Sequence, residues 1–342
     1  MSSLYAGIDL HSNNQVLVIT NERDEIEYQK RLPNDLSKTL DALAPYAERL
    51  EGLVVESTFN WYWLVDGLMD HGYDVRLANT NAIQQYNGLK YSDDNSDARW
   101  LARMLHLDIL REGYIYPKEE RPIRDLLRKR AHLVRHRTSH ILSIKNLVMR
   151  NTGNALSSDA IKRLTDERID ELLPNPDLAL SVKSSAAVMH CLLTQIRILE
   201  KVAEKRVRLR DEFKGLTTID GVGPILAMTI MLEVGDINRF PHVGNYVSYA
   251  RCVSGERISN GKKKGKSNTK NGNKYLSWAF SEAATHSIRY NDNIRRFYQR
   301  KMAKKHIMVA KRAVAHKLAR ASYYILRDGT AFDGDRAFGH KK

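Results

Sequence analysis

The sequence predicts an α/β domain at its N-terminus, followed by mainly helical regions. Near the N-terminus, short apolar segments with strand character alternate with segments whose apolar residues recur at helical spacing. Farther along, two long segments, 122–150 and 178–210, keep the helical spacing throughout. A Gly-Val-Gly turn at 221–223 then separates two further helical stretches, which is the pattern of a helix-hairpin-helix.

The N-terminal region is predicted to open with a hairpin of two strands within residues 4–20. Residues 25–31 are compatible with a third strand. Residues 36–50 have apolar side chains at helical spacing, and Gly52 is expected to end that helix. The chain then continues in the order strand, helix, strand, at residues 53–56, 61–71 and 73–77. Because a crossover helix joins parallel strands, this order predicts a parallel sheet covered by a helix.

A helix over 94–107 is predicted to complete the α/β domain. The two long helices that follow are joined by a polar segment broken by glycine and proline, which suggests a coiled-coil arm that mediates self-association. Residues 255–273 contain hardly any apolar side chains, and we expect a loop or a partly disordered segment there. These observations divide the chain into an α/β domain, a helical coiled-coil arm and a mainly α C-terminal domain, at 1–115, 116–212 and 213–342.

The chain is strongly basic. Its 342 residues include 55 Lys and Arg against 40 Asp and Glu, which gives a formal net charge of +15 and an isoelectric point near 9.6. This balance is typical of proteins that bind polyanions, so nucleic acid is the leading partner, with a basic soluble enzyme as the alternative. We find no apolar run of about 18 residues and no signal segment after Met1, and we expect a cytoplasmic protein without membrane contact.

The cysteines and histidines give little sign of chemistry. Cys191 and Cys252 are too few for a disulfide framework and lack partners at metal-binding spacing, so both are expected to be reduced. The 12 histidines show no metal-binding spacing either. His11, two residues after Asp9, is a weak candidate for substrate positioning.

Two carboxylates are predicted within apolar strands, Asp9 in the first and Glu56 at the end of the strand at 53–56. A buried carboxylate is costly unless it is paired or binds a cation, and if the two strands are adjacent in one sheet, their carboxyl ends bring both acids to one edge. Asp94 and Asp97 are three residues apart on a predicted helix, so they face the same way and can join that edge. Four converging carboxylates predict a site for Mg²⁺ or Mn²⁺, which suits phosphoryl transfer on DNA.

Each acid also has a purely structural interpretation. Asp9 can end a strand in a turn, Glu56 can pair with an arginine, and Asp94 and Asp97 can cap a helix. The four acids together, on a basic chain, favour the metal site.

The residues around these acids resemble a known family. Gly7-Ile8-Asp9, Val55-Glu56-Ser57-Thr58 and Asp94-Asn95-Ser96-Asp97-Ala98-Arg99 are similar to the RuvC-like (RNase H-like) core of the DEDD transposases. These are the transposases of the IS110 family of insertion sequences and the related Piv invertase. The resemblance extends to the C-terminal region, where Gly221-Val222-Gly223-Pro224, Phe240 and the stretch KNGNKYL at 270–276 look like the transposase domain of that family.

The resemblance implies a DNA transposase or recombinase with Asp9, Glu56, Asp94 and Asp97 as its metal ligands. Similar family members use a structured noncoding RNA that pairs with donor and target DNA, so a guide RNA is an expected partner beside both DNAs. Recombination also requires two DNA ends to be held together, and a homo-oligomer, either a dimer or a tetramer, is therefore expected.

The resemblance further implies a serine nucleophile in the C-terminal domain. Ser259 stands where the family has a serine followed closely by glycine, although this chain inserts Asn260. It also reads Ala250-Arg251-Cys252-Val253 where the family has a Gly-Leu-x-Pro run, which leaves Ser254 as a rival. From the residues alone, a serine in a lysine-rich loop can attack a phosphate that the lysines hold, or it can be a solvated linker residue.

Several groups are predicted to contact nucleic-acid phosphates. They are Arg128, Lys129 and Arg130 on the first long helix, the backbone amides at Gly221 and Gly223, and the loop lysines Lys262, Lys263, Lys264, Lys266, Lys270 and Lys274. A further cluster near the C-terminus consists of Lys301, Lys304, Lys305, Lys311 and Arg312. The alternative for the side chains is a solvated helix face, and for the glycines a tight turn that packs two core helices.

Two other classes of function are compatible with the sequence. A RuvC-like nuclease could cut Holliday junctions with water and would need the metal but no serine. A non-catalytic nucleic-acid-binding protein would need neither the serine nor the four acids. Trp61, Tyr62 and Trp63 could stack on bases, but packing of their helix on the sheet is the better interpretation.

Overall fold

The computed structural model describes residues 2–83, 93–253, 255–266 and 271–339. The chain forms two compact units, Met1–Lys118 and Glu119–Lys342, and each is described by itself. The predicted α/β N-terminal part and helical remainder are both present. The three-part division at 115/116 and 212/213 stays a prediction.

The first unit is built on a five-stranded mixed sheet of order β3-β2-β1-β4-β5. Its strands are β1 (Leu4–Leu10), β2 (Asn14–Asn21), β3 (Ile26–Pro33), β4 (Leu50–Glu56) and β5 (Val75–Ala78), and its helices are α1 (Leu36–Leu43), α2 (Tyr62–Asp70) and α3 (Asp94–His106). The first three strands are antiparallel neighbours, whereas β1, β4 and β5 pair in parallel. The predicted hairpin, third strand and parallel crossover are thus confirmed.

Alternating side chains of the sheet pack against two separate layers. One face, with Ala6, Ile8 and Leu10 of β1, shares a core with α2. The opposite face carries Gly7 and Asp9 and is covered by α3, whose Ala98 packs against Val16 and Val18 of β2. The expected end of α1 at Gly52 was wrong, because a 3₁₀ turn at Ala44–Arg49 follows the helix and Gly52 lies inside β4.

In the residues that the structure describes, the second unit is helical apart from one hairpin. Its elements are α4 (Arg121–Thr152), α5 (Ser158–Ile161), α6 (Asp166–Leu172), α7 (Pro176–Val207), α8 (Asp211–Thr217), α9 (Pro224–Val234), α10 (Val243–Tyr249), β6 (Glu256–Ser259), β7 (Lys262–Lys266), α11 (Lys274–Tyr290), α12 (Asp292–Met302), α13 (Ile307–Asp328) and α14 (Gly334–Phe338). The almost fully buried α9 lies within the core that α8 and α10–α13 form around it. Among the described residues, no helix is long and apolar enough to cross a membrane.

The two 32-residue helices α4 and α7 pack along each other in opposite directions. At one end, Ile144 and Val182 share a small core with α5 and α6. At the other end, Ile123 and Val207 belong to the core around α9, so the pair is rooted in the C-terminal helices. A coiled-coil arm stays a prediction.

The turn between α8 and α9 depends on Gly221, whose φ is +87°. A Cβ at this position would come within 2.5 Å of the backbone nitrogen of Ser287 on α11, so only glycine fits. Gly221 therefore packs one helix of the core against another, while nothing lies within 4 Å of a Cβ built at Gly223. A nucleic-acid-binding helix-hairpin-helix at this turn stays a prediction.

The expectation of an unstructured segment over 255–273 was wrong in part, because β6 and β7 form an antiparallel hairpin there. Asn260 and Gly261 connect the strands, with φ of +50° and +68°. An Asn-Gly pair favours this two-residue turn because both residues tolerate positive φ. The Asn-Gly turn therefore favours a hairpin even though the segment has hardly any apolar residues. Ser259 is the last residue of β6.

Candidate functional site

Asp9 and Glu56 lie side by side on the central strands of the sheet. In the parallel ladder between β1 and β4, Ile8 is paired with Val55, so the next residue on each strand is one of the two acids. Only 4% of Asp9 is exposed, and Glu56 is half-buried at the end of β4. The structure thus meets the condition under which the sequence places both carboxylates at one edge of the sheet, because β1 and β4 are parallel neighbours.

Helix α3 carries the other two acids across this edge. A Cβ at Gly7 would lie 2.0 Å from the backbone oxygen of Ala98, so a glycine on β1 is needed for the helix to approach the strand. Ala98 itself is fully buried at this contact. The small residues beside Asp9 and Asp97 thus permit the close packing that brings the helix, and its acids, to the sheet.

Asp97 and Asp94 occupy different surroundings although they are one helical turn apart. Asp97 is near enough to Glu56 to raise the pKa of that carboxyl by repulsion. Asp94 instead accepts a hydrogen bond from Arg31 of β3, and this contact holds the pKa of Asp94 below its usual value. Neither residue is the N-cap of α3, since Asp93 accepts the capping hydrogen bond from the backbone of Ser96.

The carboxyl of Glu56 has a strongly raised pKa. Burial, followed by a hydrogen bond and charge repulsion from Asp9, raises its pKa to about 8. Two adjacent carboxyl groups in a partly dry site cannot both be charged without a compensating cation. The pair therefore holds a proton near neutral pH in the absence of metal.

His11 belongs to this site more directly than the sequence indicated. Its Nε2 atom lies 3.3 Å from a carboxylate oxygen of Asp9 and 3.3 Å from one of Asp94. The backbone oxygen of His11 accepts hydrogen bonds from the side-chain amides of Asn34 and Asn60, each at 3.0 Å, which fix the turn after β1. The contacts of His11 with Asp94, Asn34 and Asn60 join segments that are distant in the sequence. No spacing in the sequence indicates that these segments meet near Asp9.

The donor set fits a hard divalent cation. Asp9, His11 and Asp94 each offer a ligand atom within 4.8 Å of the others, and Glu56 adds a carboxyl next to Asp9. Carboxylate oxygens are the donors that Mg²⁺ and Mn²⁺ prefer, and an imidazole is an acceptable ligand for a transition metal. A bound cation would also relieve the repulsion between Asp9 and Glu56.

Metal binding at this site is expected to strengthen with pH. Because Glu56 must lose its proton to become a ligand and its pKa is raised to about 8, the apparent Mg²⁺ affinity should rise roughly tenfold per pH unit below pH 8 and then level off. Calorimetric titrations in buffers of different ionisation enthalpy would measure both the affinity and the released proton. A pH dependence that is unchanged in Glu56→Gln would assign the proton to another group, such as His11.

The proposed nucleophile and its lysines lie in the second unit. Ser259 ends β6 with an exposed side chain and is paired with Lys262, which is also exposed. Lys264 and Lys274 are exposed as well, whereas Lys263 and Lys266 are located on β7. Ser254 and Lys270 lie outside the described residues.

The basic residues of α4 have different partners. Arg128 donates two hydrogen bonds of 2.7 Å to the carboxylate of Glu233 on α9, and Arg130 pairs with Glu200 of α7 at 2.6 Å. Lys129 is exposed. Contacts of these three side chains with phosphate stay a prediction, and Arg128 would have to combine such a contact with its bond to Glu233.

Trp61, Tyr62 and Trp63 pack against the core of the first unit, whereas Phe59 is exposed. Trp61 is 9% exposed and belongs to the core between α2 and the sheet, with Tyr62 and Trp63 packed against that core. Trp61 and Tyr62 also make an edge-to-face contact with centroids 4.6 Å apart. This is the packing that the sequence favoured.

The sheet with acids at its edge and the helical second unit define a transposase of the DEDD type. Residues 6–152 match a DEDD transposase family model of the IS110 type, described as "Transposase". Residues 214–299 match a second model, described as "Transposase IS116/IS110/IS902 family". The chain is also 22% identical over 283 residues to a "Probable family 20 transposase" of Pseudomonas aeruginosa. This match covers 79% of this chain and 82% of that protein. The chain belongs to the IS110 family, and it is a DNA transposase.

Proposed function

We propose that this transposase cuts and rejoins DNA at a divalent-cation site formed by Asp9, Glu56, Asp94 and Asp97, with Ser259 as the nucleophile. The observation that carries the metal site is the buried pairing of Asp9 with Glu56, whose pKa is raised to about 8. Carboxyl groups that repel each other in this way are poised for a cation rather than for fold stability. The sequence predicted these ligands, and His11 is an addition from the geometry.

A cation held by these carboxylates would stabilise the negative charge that develops on the scissile phosphate. The protein's own groups then have distinct tasks. Asp9 and Glu56, fixed on adjacent strands, supply a rigid pair of oxygens, whereas Asp94 already faces Asp9 and His11 and shares its carboxylate with Arg31. Asn34 and Asn60 keep the turn of His11 in place.

In the proposed strand transfer, the hydroxyl oxygen of Ser259 attacks the phosphorus atom. A bond between the serine oxygen and phosphorus forms, and the bond to a deoxyribose oxygen breaks. The serine proton passes to a base, and the released deoxyribose oxygen takes up a proton. The resulting phosphoserine link keeps the energy of the phosphodiester for rejoining. The exposed position of Ser259 at a hairpin turn suits an attacking group that must reach DNA.

The expected partners follow from the same proposal. Donor and target DNA are the substrates, and a noncoding guide RNA that pairs with both is compatible with the net charge of +15. A dimer or tetramer would hold two DNA ends, with the α4–α7 pair as the candidate self-association surface.

Replacing Ser259 by Ala is expected to abolish the covalent DNA adduct and to leave DNA binding within about twofold of the unmodified protein, because an exposed hydroxyl contributes little to phosphate affinity. The assay combines the element's end DNA, flanking RNA and Mg²⁺, followed by denaturing electrophoresis and mass spectrometry of the linked peptide. Ser184→Ala, at an exposed position of α7, is the matched control and should form the adduct normally.

Three results would count against Ser259. An adduct that persists in Ser259→Ala and disappears in Ser254→Ala would move the nucleophile to Ser254. Cleavage without any adduct in the unmodified protein would favour water attack, as in a junction nuclease. No cleavage under any combination of DNA, RNA and metal would favour a binding protein.

A further inference from the structure

A cavity of 760 Å³ lies in the second unit between α12, α13 and residues 330–337, which include α14. Three aromatic side chains line it, one from each of these elements: Phe297, Tyr324 and Phe332. The volume is within the range of about 300–1,000 Å³ that small-molecule sites occupy. The cavity is therefore large enough for a nucleobase with its sugar.

Four cationic side chains line the same cavity, namely Lys301, Lys317, Arg320 and Arg336. One carboxylate, Asp333, shares the wall, and it caps α14 by accepting a hydrogen bond from the backbone N–H of Arg336. Within the part of the chain that the structure describes, none of the four cations forms an ion pair. The lining thus has a net positive charge, with four cations against Asp333, although Asp328 lies close enough to Arg336 to interact with it.

The central cation of this group is crowded. The Nζ atom of Lys317 donates a hydrogen bond of 2.6 Å to the backbone oxygen of Ala337 and lies 5.0 Å from the ring centroid of Phe297. Burial and the nearby charges of Arg320 and Lys301 lower the pKa of Lys317. An anion bound beside these groups would relieve their repulsion.

We propose that this cavity binds one unpaired nucleotide of a single nucleic-acid strand, with the base against the aromatic side chains and the adjoining phosphates on Lys301, Lys317 and Arg320. Bases stack on aromatic rings in single-strand sites, and the backbone of the strand follows positive charge. Two other ligands would match only part of the lining. A free phosphate would not contact the aromatic side chains, and an apolar helix of a partner would not neutralise the cations. The combination of the two surfaces is what selects a nucleotide.

A neighbouring groove indicates where the strand would continue. This groove of 590 Å³ shares Ala313 and His316 with the cavity and runs past Arg312 to Cys252 and Val253. Val253 precedes the segment that carries the proposed serine nucleophile by a few residues. A strand that leaves the cavity along α13 would therefore pass toward that segment.

The test is photocrosslinking of the full-length protein, in EDTA, to 12-nucleotide single strands that carry one 5-iodouracil, as DNA and as RNA of the same sequence. The expected result is a cross-linked peptide that contains Tyr324 or Phe332. The Lys301→Ala and Arg320→Ala double variant is expected to weaken binding of the strand about tenfold in fluorescence anisotropy at fixed salt. Tighter binding of DNA or of RNA would tell which strand the cavity prefers.

The matched control is the double variant Arg289→Ala and Arg296→Ala, which removes two exposed charges that do not line the cavity. It should weaken binding by threefold or less. Cross-links confined to other segments, or equal losses in the two double variants, would overturn the proposal. Because binding in EDTA needs neither the acidic site nor the serine, the outcome is independent of the proposed strand transfer.

Discussion

Replacing Glu56 by Gln is expected to abolish strand cleavage and, in the absence of metal, to make the protein more stable at alkaline pH. The loss of activity should be on the order of a thousandfold, as for the removal of one charge-stabilising group from an active site. It follows from the loss of a ligand oxygen beside Asp9. Plasmid cleavage in the presence of Mg²⁺ measures the first effect, and thermal melting in EDTA measures the second.

The sign of the stability effect comes from the raised pKa. Between the ordinary value of 4.5 and about 8, the folded protein retains a proton on Glu56 that the unfolded chain has lost. The free energy of unfolding of the metal-free protein therefore falls as the pH rises through this range, and the decrease is complete above pH 8. Glutamine resembles the protonated form, so the variant should lose this contribution to the pH dependence.

Glu51→Gln is the matched control, because Glu51 lies on the same strand with an exposed side chain that accepts a hydrogen bond from Ser3. It should retain cleavage and the original pH dependence of stability. A Glu56→Gln variant that still cleaves DNA would remove Glu56 from the metal ligands. If Glu56→Gln has a lower melting temperature than the unmodified protein at pH 8.5 in EDTA, the carboxyl groups of Asp9 and Glu56 do not destabilise the metal-free fold by repulsion.

Replacing Glu233 by Ala is expected to destabilise the second unit by about 2–3 kcal/mol, because the partly exposed Arg128 and the buried amide of Asn273 both lose the acceptor of their hydrogen bonds. Glu233 is 4% exposed and accepts two hydrogen bonds from Arg128 and one of 2.7 Å from the side-chain amide of Asn273. Asn273 in turn caps α11 at Tyr275 and Leu276. The melting temperature of the variant should fall by an amount on the order of 10 °C.

Asp211→Ala provides the comparison, because this carboxylate and its partner Lys214, 3.0 Å away, are both exposed on the surface of the same unit. Pairs of this kind contribute about 0–1 kcal/mol, so its loss should change the melting temperature little. Equal melting temperatures for the two variants would show that the network between α4, α9 and α11 adds no stability. DNA binding by both variants would also show whether Arg128 is available to phosphate once Glu233 is gone.

Much of the first unit follows from local signals in the sequence. Three local signals predict its elements correctly. They are the apolar alternation of β1 and β2, the order strand, helix, strand after residue 50, and the helical spacing from Asp94 onward. The crossover after residue 50 makes β4 and β5 parallel neighbours. The sequence could only assume that β1, which carries Asp9, lies beside β4, which carries Glu56, and the structure supplies that adjacency.

Errors arose where composition and local chemistry disagree. Residues 255–266 contain Ile258 as their one apolar side chain, yet Asn260 and Gly261 provide the backbone conformation that a tight hairpin requires. Gly52 resembles the end of a helix but is a strand residue, since the helix before it gives way to a 3₁₀ turn that contains Pro45. In both places the structure depends on a turn, and the apolar content of a segment does not indicate where a turn occurs.

By itself, the sequence determined the type and order of the elements, the carboxylates at the sheet edge and the positive charge that suits nucleic acid. Only the tertiary structure decided which distant residues meet: Arg31 and His11 beside Asp94, Glu233 beneath Arg128, and three aromatic rings around Lys317 and Arg320. The physical reason is that periodicity and turn chemistry act over a few residues. Contacts between polar side chains from separate elements depend on how those elements pack, as the approach of α3 to Gly7 illustrates.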